Sequence, residues 1–254
     1  MDRLVKLLKN DRAAVSAWSG VPDPVYLGML ARTGFDVITL DMQHSMHSEF
    51  SVLNGLATLT PLKKPAVVRI PVGRFDMASK ALDVGAHGII APMINTVEDA
   101  KRLVSFTKYV PLGDRSHGVT QAVSLLNVDR VYYLTQANAQ LMTLAMIETR
   151  EAVDNMEAIL DVEGIDGVFV GPADLSISIR NDPVPDPYGK DTIKIVEKIG
   201  KEATARGKIA GAFAITPAHA ELVHGFGYRF ISLAMDHVYL SKGADSMLES
   251  LAFR

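Results

Sequence analysis

Eight short apolar runs, separated by turn signals and stretches of helical spacing, constrain this chain more than any other feature. They occupy residues 14–18, 35–40, 66–70, 88–93, 141–147, 167–170, 209–214 and 230–235. The runs are rich in Val, Ile, Leu and Phe and lack polar alternation, as strands of a parallel sheet buried on both faces do. Helical patterns lie between them at 24–33, 75–84, 96–108, 151–162 and 217–224. Gly34, Gly85, Gly164 and Gly225 stand where left-handed caps end helices, and Asn95 or Thr96 caps the start of the third. This alternation predicts a (β/α)8 TIM barrel; a doubly wound open sheet is the runner-up, because it uses the same alternation. Two connections are longer, 109–140 with a further helix at 128–139, and 181–189. Neither resembles a linker, so residues 1–254 read as a single barrel domain.

The totals narrow the function. A chain of 254 residues, 48% of them hydrophobic, can bury a core of this size. A net charge of -3 gives no electrostatic footprint for nucleic acid and no polybasic patch for a membrane. The absence of cysteine excludes thiol catalysis, disulfides and thiolate metal sites. Residues 1–9 mix charges into an apolar pattern and read as an amphipathic helix, not a signal peptide. No apolar run approaches the length of a membrane span, so a cytoplasmic protein is expected.

In a (β/α)8 barrel the chemistry sits at the C-terminal ends of the strands. There the second run ends in Asp41 with His44 just beyond, the third carries Arg69, the fifth ends in Glu148, and Asp174 follows the sixth. Trp18 ends the first. Singly, each has a structural explanation: a helix cap, a buried ion pair, a satisfied histidine. Five polar residues at one mouth need a joint one. Two carboxylates with no thiol and no His-x-x-x-His spacing favour Mg²⁺ or Mn²⁺, with Co²⁺ or Zn²⁺ as substitutes. Such an ion stabilises an enolate, Arg69 adds a donor to the same oxygen, and His44 serves as general base and acid. A Schiff-base aldolase would need a lysine late in a strand, and none stands there.

These residues lie within motifs that resemble the HpcH/HpaI aldolases, the class II pyruvate aldolases. The matching stretches include FDVITLDMQH at 35–44, VRIP at 68–71, ALDVGAHGI at 81–89, GDRSHG at 113–118, IET at 147–149 and GPADLS at 171–176. The resemblance implies a barrel that releases pyruvate and an aldehyde from a 4-hydroxy-2-oxo acid. It implies Glu148 and Asp174 as metal ligands, His44 as base with Asp83 raising its basicity, and Arg69 as enolate stabiliser. Asp41 would help to arrange the site. The substrate carboxylate would meet amides of the turn that starts at Gly171, near Ala173. It further implies a homo-oligomer, a hexamer, that exchanges its last helix, here 237–251. Two positions depart from the pattern: Gln43 replaces a frequent Glu, and Met146 replaces a Gln that contacts the pyruvate portion. Phe213 is a candidate wall for the aldehyde, and Arg115 a candidate for its acidic tail or for a subunit contact. The alternatives are a citrate-lyase-type lyase acting on an acyl-CoA thioester, which lacks a matching basic cluster here, and a non-catalytic keto-acid-binding barrel.

Overall fold

A computed structural model describes residues 2–9 and 12–253. Eight parallel strands close into one barrel in chain order. They are β1 (Ala14–Ser19), β2 (Val37–Asp41), β3 (Ala66–Arg69), β4 (Gly88–Ala91), β5 (Met142–Ile147), β6 (Gly167–Val170), β7 (Ile209–Ala214) and β8 (Phe230–Met235). The expected (β/α)8 barrel is the observed fold, and the open sheet is excluded by the pairing of β1 with β8.

The helices are α1 (Arg3–Lys9), α2 (Pro24–Leu30), α3 (Glu49–Leu59), α4 (Phe75–Asp83), α5 (Val97–Thr107), α6 (Thr120–Leu126) and α7 (Arg130–Gln140). After β5 come α8 (Arg150–Asp154), α9 (Met156–Leu160), α10 (Pro172–Arg180), α11 (Lys190–Ala205), α12 (Pro217–Gly225) and α13 (Asp236–Glu249). The pattern at 151–162 is two short helices, broken at Asn155, whose φ of -96° and ψ of 0° end the first. Helices α3, α6, α10 and α11 were not delimited by pattern. In α3 the apolar face is interrupted by exposed Phe50 and contains Gly55, a weak helix former.

Two apolar layers result. Ile38, Leu40, Val68, Ala145, Val168 and Val170 face outward beneath the helices. Val37, Val67, Leu144, Met146, Phe169 and Phe230 fill the barrel. Leu4 of α1 joins this inner set with no exposed surface, so α1 plugs the floor. Packing between α11 and the loop before β8 requires glycine. A Cβ on Gly200 would lie 2.6 Å from the Phe226 carbonyl oxygen and 2.6 Å from the Tyr228 ring. Gly200→Ala is therefore expected to destabilise the chain by about 1–3 kcal/mol, since backbone must shift to admit the methyl. The urea midpoint should fall with an unchanged slope.

Candidate active site

Side chains alternate across a strand, so every second residue points into the barrel. Val37, Thr39 and Asp41 share one parity; so do Val67 and Arg69, and Met142, Leu144, Met146 and Glu148. The polar residues thus continue the inward series of each strand past its last apolar layer. β8 breaks the rule. Ala234 has φ +54°, and the register with β1 slips between Ser16 and Trp18, from Ser232 to Met235. The extra residue is a bulge that turns Met235 toward the mouth.

The mouth holds a cavity of about 190 Å³. On one side stand Asp41, His44, Ser45, Arg69 and Asp174. Trp18, Met146, Phe169, Phe213, Ile215 and Met235 form the apolar part of its wall. Trp18 fixes that wall by edge contact with Phe213 at 5.4 Å and a tilted contact with Phe169 at 5.8 Å. A second groove, of about 220 Å³ between α3 and α4, is apolar apart from the exposed Glu49–Lys80 pair and carries no comparable chemistry.

Asp41 organises the polar side. It receives Arg69 through two parallel bonds, Nε to Oδ1 and Nη2 to Oδ2, each 2.8 Å. It also accepts the Gln43 amide at 2.9 Å and the Ser45 hydroxyl at 2.9 Å. Gln43 and Ser45 flank His44, so one carboxylate orients Arg69 and pins the turn that presents His44. Burial pushes the Asp41 carboxyl up, but the Arg69 guanidinium and the Gln43 amide outweigh it and hold it below the ordinary value. Arg69 also stacks over Trp18 at 4.7 Å, which fixes the guanidinium plane.

Glu148 is 2% exposed. Its Oε1 accepts the Met93 amide at 2.8 Å. Met93 holds a left-handed φ of +56°, strain of the kind that collects at functional sites. A Cβ on Gly171 would come within 2.8 Å of Glu148 Oε2, so the glycine leaves that oxygen its space. Burial is the main cause that pushes the Glu148 carboxyl up to about 7; the nearby Asp174 charge adds to it, while the Met93 amide and Arg69 oppose it. Two acids held this close suit a cation, which would keep both ionised. Among the described residues no group of three or more His, Asp or Glu side chains is placed to hold a metal. Two carboxylates with water and substrate oxygens in the remaining positions match the way Mg²⁺ is commonly bound. The donor set therefore fits a hard divalent ion.

Asp174 lies in the first turn of α10, which Pro172 opens at its first position. The amides of Ala173 and Asp174 have no partner within the helix, and Gly171, Pro172 and Ala173 all line the cavity. Of the residues singled out from sequence, Trp18, Asp41, His44, Arg69, Met146, Gly171, Ala173, Asp174 and Phe213 border the one cavity, with Glu148 beside it. Asp83 does not. It closes α4, which runs from mouth to floor, and its Oδ1 is 2.6 Å from Arg115 Nη2. Within one chain it makes no contact with His44. Arg115 is likewise buried near the floor, stacked on Tyr109 at 4.6 Å. Sequence reasoning missed Ser45, Met93, Ile215 and Met235. The inward parity of β7 could have found Ile215; nothing in the sequence marks the backbone turns at Met93 and Ala234. His47 and His87 are buried outside this cavity.

The profile of the HpcH/HpaI aldolase/citrate lyase family matches residues 15–242. The chain belongs to that family. Among HpcH/HpaI relatives, a 2-keto-3-deoxy-L-rhamnonate aldolase of Salmonella gallinarum is 33% identical over 244 residues, covering 95% of this chain and 90% of that protein. An HpcH/HpaI aldolase/citrate lyase family protein from Burkholderia cenocepacia superposes with a TM-score of 0.87 at 28% identity, over 98% of both chains. The HpcH/HpaI aldolase of Desulfitobacterium hafniense shares the fold with a TM-score of 0.88 at 24% identity, over 100% of both chains. No helix among the described residues is long and apolar enough to cross a membrane.

Proposed function

We propose that the mouth cleaves a 4-hydroxy-2-oxo acid into pyruvate and an aldehyde, as a class II aldolase. The observation that carries this reading is the juxtaposition in one cavity of Asp174, the open partner of buried Glu148, with His44 and an Asp41-clamped Arg69. Glu148 and Asp174 would hold a divalent ion, Mg²⁺ or Mn²⁺ by donor chemistry, which when bound supplies positive charge that offsets the developing enolate. Amides at Ala173 and Asp174 receive the substrate carboxylate. Arg69 spends two of its five N–H groups on Asp41. The others donate to the keto oxygen as it gains charge. His44 takes the proton from the C4 hydroxyl; the C3–C4 bond breaks, its electrons pass into the enolate, and the aldehyde leaves. The enolate is then protonated at C3 to give pyruvate. The apolar wall of Trp18, Phe213 and Met146 receives the carbon chain and keeps water from the enolate.

The test is a coupled assay of pyruvate release from a panel of 4-hydroxy-2-oxo acids, 2-keto-3-deoxy-L-rhamnonate among them. It is run with EDTA and with added Mg²⁺, Mn²⁺ or Co²⁺. Pyruvate that appears only with metal supports the reading. Failure across the panel, with turnover of an acyl-CoA thioester instead, would replace it with the citrate-lyase-type reaction. His44→Ala is expected to lower kcat by about 10²–10⁴-fold, the usual contribution of a general base. Cation affinity, read by calorimetry, should be unchanged. Asp83 is proposed to act on His44 only across a subunit contact. The apolar residues that α13 and its end leave exposed, Leu240, Met247 and Phe253 among them, support an oligomer with an exchanged last helix.

A further inference from the structure

The barrel floor, opposite the mouth, contains a second polar cavity that the proposed reaction does not use. It measures about 200 Å³. Arg3 of the plug helix α1, Thr60, Lys63 and Lys64 after α3, and His87 before β4 bound it, with Pro65 and Leu126 as apolar sides. No acid lines it. Asp36 acts on Lys64 from outside the cavity but is already engaged by Arg12 at 3.2 Å and the Val15 amide at 3.0 Å. Lys64 is anchored at the rim by a bond to the Phe35 carbonyl. Arg3 and Lys63 have no ion-pair partner among the described residues, whereas Lys6 of the same helix is paired with Asp2.

His87 adds a neutral side chain to the same cavity. It is 7% exposed. Its Nδ1 accepts the Ala66 amide at 3.4 Å, so the ring proton sits on Nε2. That N–H has no acceptor among the described residues, and its ring lines the cavity. Burial, with the Arg3 charge acting in the same direction, pushes the imidazole down to about 4, so it is a neutral donor at physiological pH. Cations after α3 complement the dipole of its C-terminus, which accounts for Lys63 and Lys64. It does not account for Arg3, or for the His87 ring that lines the same cavity with no acceptor for its Nε2–H among the described residues. Lys63 also stands at φ +55°, a conformation L side chains rarely adopt.

We propose that this cavity binds a small dianionic oxyanion, a phosphate group either free or carried on a small metabolite. Arg3, Lys63 and Lys64 neutralise it, and the His87 Nε2–H donates to it. The ligand bridges α1, the α3–β3 turn and the start of β4, and so fastens the plug helix to the floor.

Calorimetric titration of the dialysed full chain tests this, with inorganic phosphate in one arm and glycerol 3-phosphate in another, at ionic strength held constant with chloride. Saturable binding that pyruvate does not displace is expected in at least one arm. Preference for phosphate identifies the free ion; preference for glycerol 3-phosphate identifies the phosphorylated metabolite. Affinity should fall at least tenfold in the double variant Arg3→Ala/Lys63→Ala and in His87→Phe. The double variant alters exposed side chains, so its anion-free thermal midpoint and its pyruvate release should match the parent's. Phosphate should raise the thermal midpoint of the parent and not of the double variant. Heats no larger than those of chloride, or unchanged affinity in the double variant, would overturn the proposal.

Discussion

Asp174→Ala is expected to abolish metal-dependent cleavage. The residue sits in the first turn of α10, exposed to the cavity, and its charge acts on buried Glu148. Removing it leaves Glu148 as a lone carboxylate, which burial still pushes up although the Asp174 charge no longer adds to that push. One carboxylate is a poor site for the ion, because a hard cation is held by several oxygen ligands and half of the protein's pair is gone. Loss of the cation removes several kcal/mol of charge stabilisation from the transition state, about a thousandfold in rate or more. The fold should survive, since the Asp174 side chain makes no hydrogen bond among the described residues and Pro172 still opens the helix. Mn²⁺ titration by calorimetry and a pyruvate assay check both parts. Full activity with retained metal affinity would sink the assignment of Asp174 as a ligand.

Arg69→Ala should act on rate and stability while leaving metal affinity within about threefold. The rate should fall by roughly 10²–10³, as when a single donor to a developing oxyanion is lost. The stability effect comes through Asp41, whose side chain is 1% exposed and whose main partner is Arg69. Breaking a buried pair by removing one member typically costs about 3–5 kcal/mol. The Gln43 amide and the Ser45 hydroxyl still donate to Asp41, so the low end of that range applies. Arg69→Lys should recover part of the stability but little of the rate, because an ammonium cannot make both parallel bonds and still reach the substrate. Denaturation, kinetics and metal titration together separate these effects. If metal affinity fell as far as kcat, Arg69 would be a structural support of the carboxylate pair instead.

Much of this site was legible before the fold. The period of two that aligns Met142, Leu144, Met146 and Glu148 is a local property of an extended chain, and so is the parity of Val67 with Arg69. Once the strands are parallel and closed, residues at the same end must converge, whatever their distance in sequence. The turn beginning at Gly171 was equally readable, because Pro172 and the acid two positions later mark a helix start. Asp83 of α4 shows the limit. Asp83 has the helix position its motif suggests, but its partner is Arg115, thirty-two residues on, at the floor. Periodicity cannot say which loop side chain a helix residue meets.

The pairing of β1 with β8 decided for the barrel over the open sheet, whereas the amino-acid sequence alone determined the alternation of eight apolar runs with helices and the placing of Asp41, His44, Arg69, Glu148 and Asp174 at the ends of those runs. Those follow from apolar periodicity and from the cost of placing charge at a buried strand terminus without a partner or a task. Only the tertiary structure decided that Asp41 clamps Arg69 and brackets His44, that a bulge at Ala234 turns Met235 inward, and that the Met93 amide holds Glu148. It alone brought Arg3, Lys63, Lys64 and His87 to one cavity. Such arrangements depend on contacts between segments far apart in the chain and on backbone angles that no local pattern encodes.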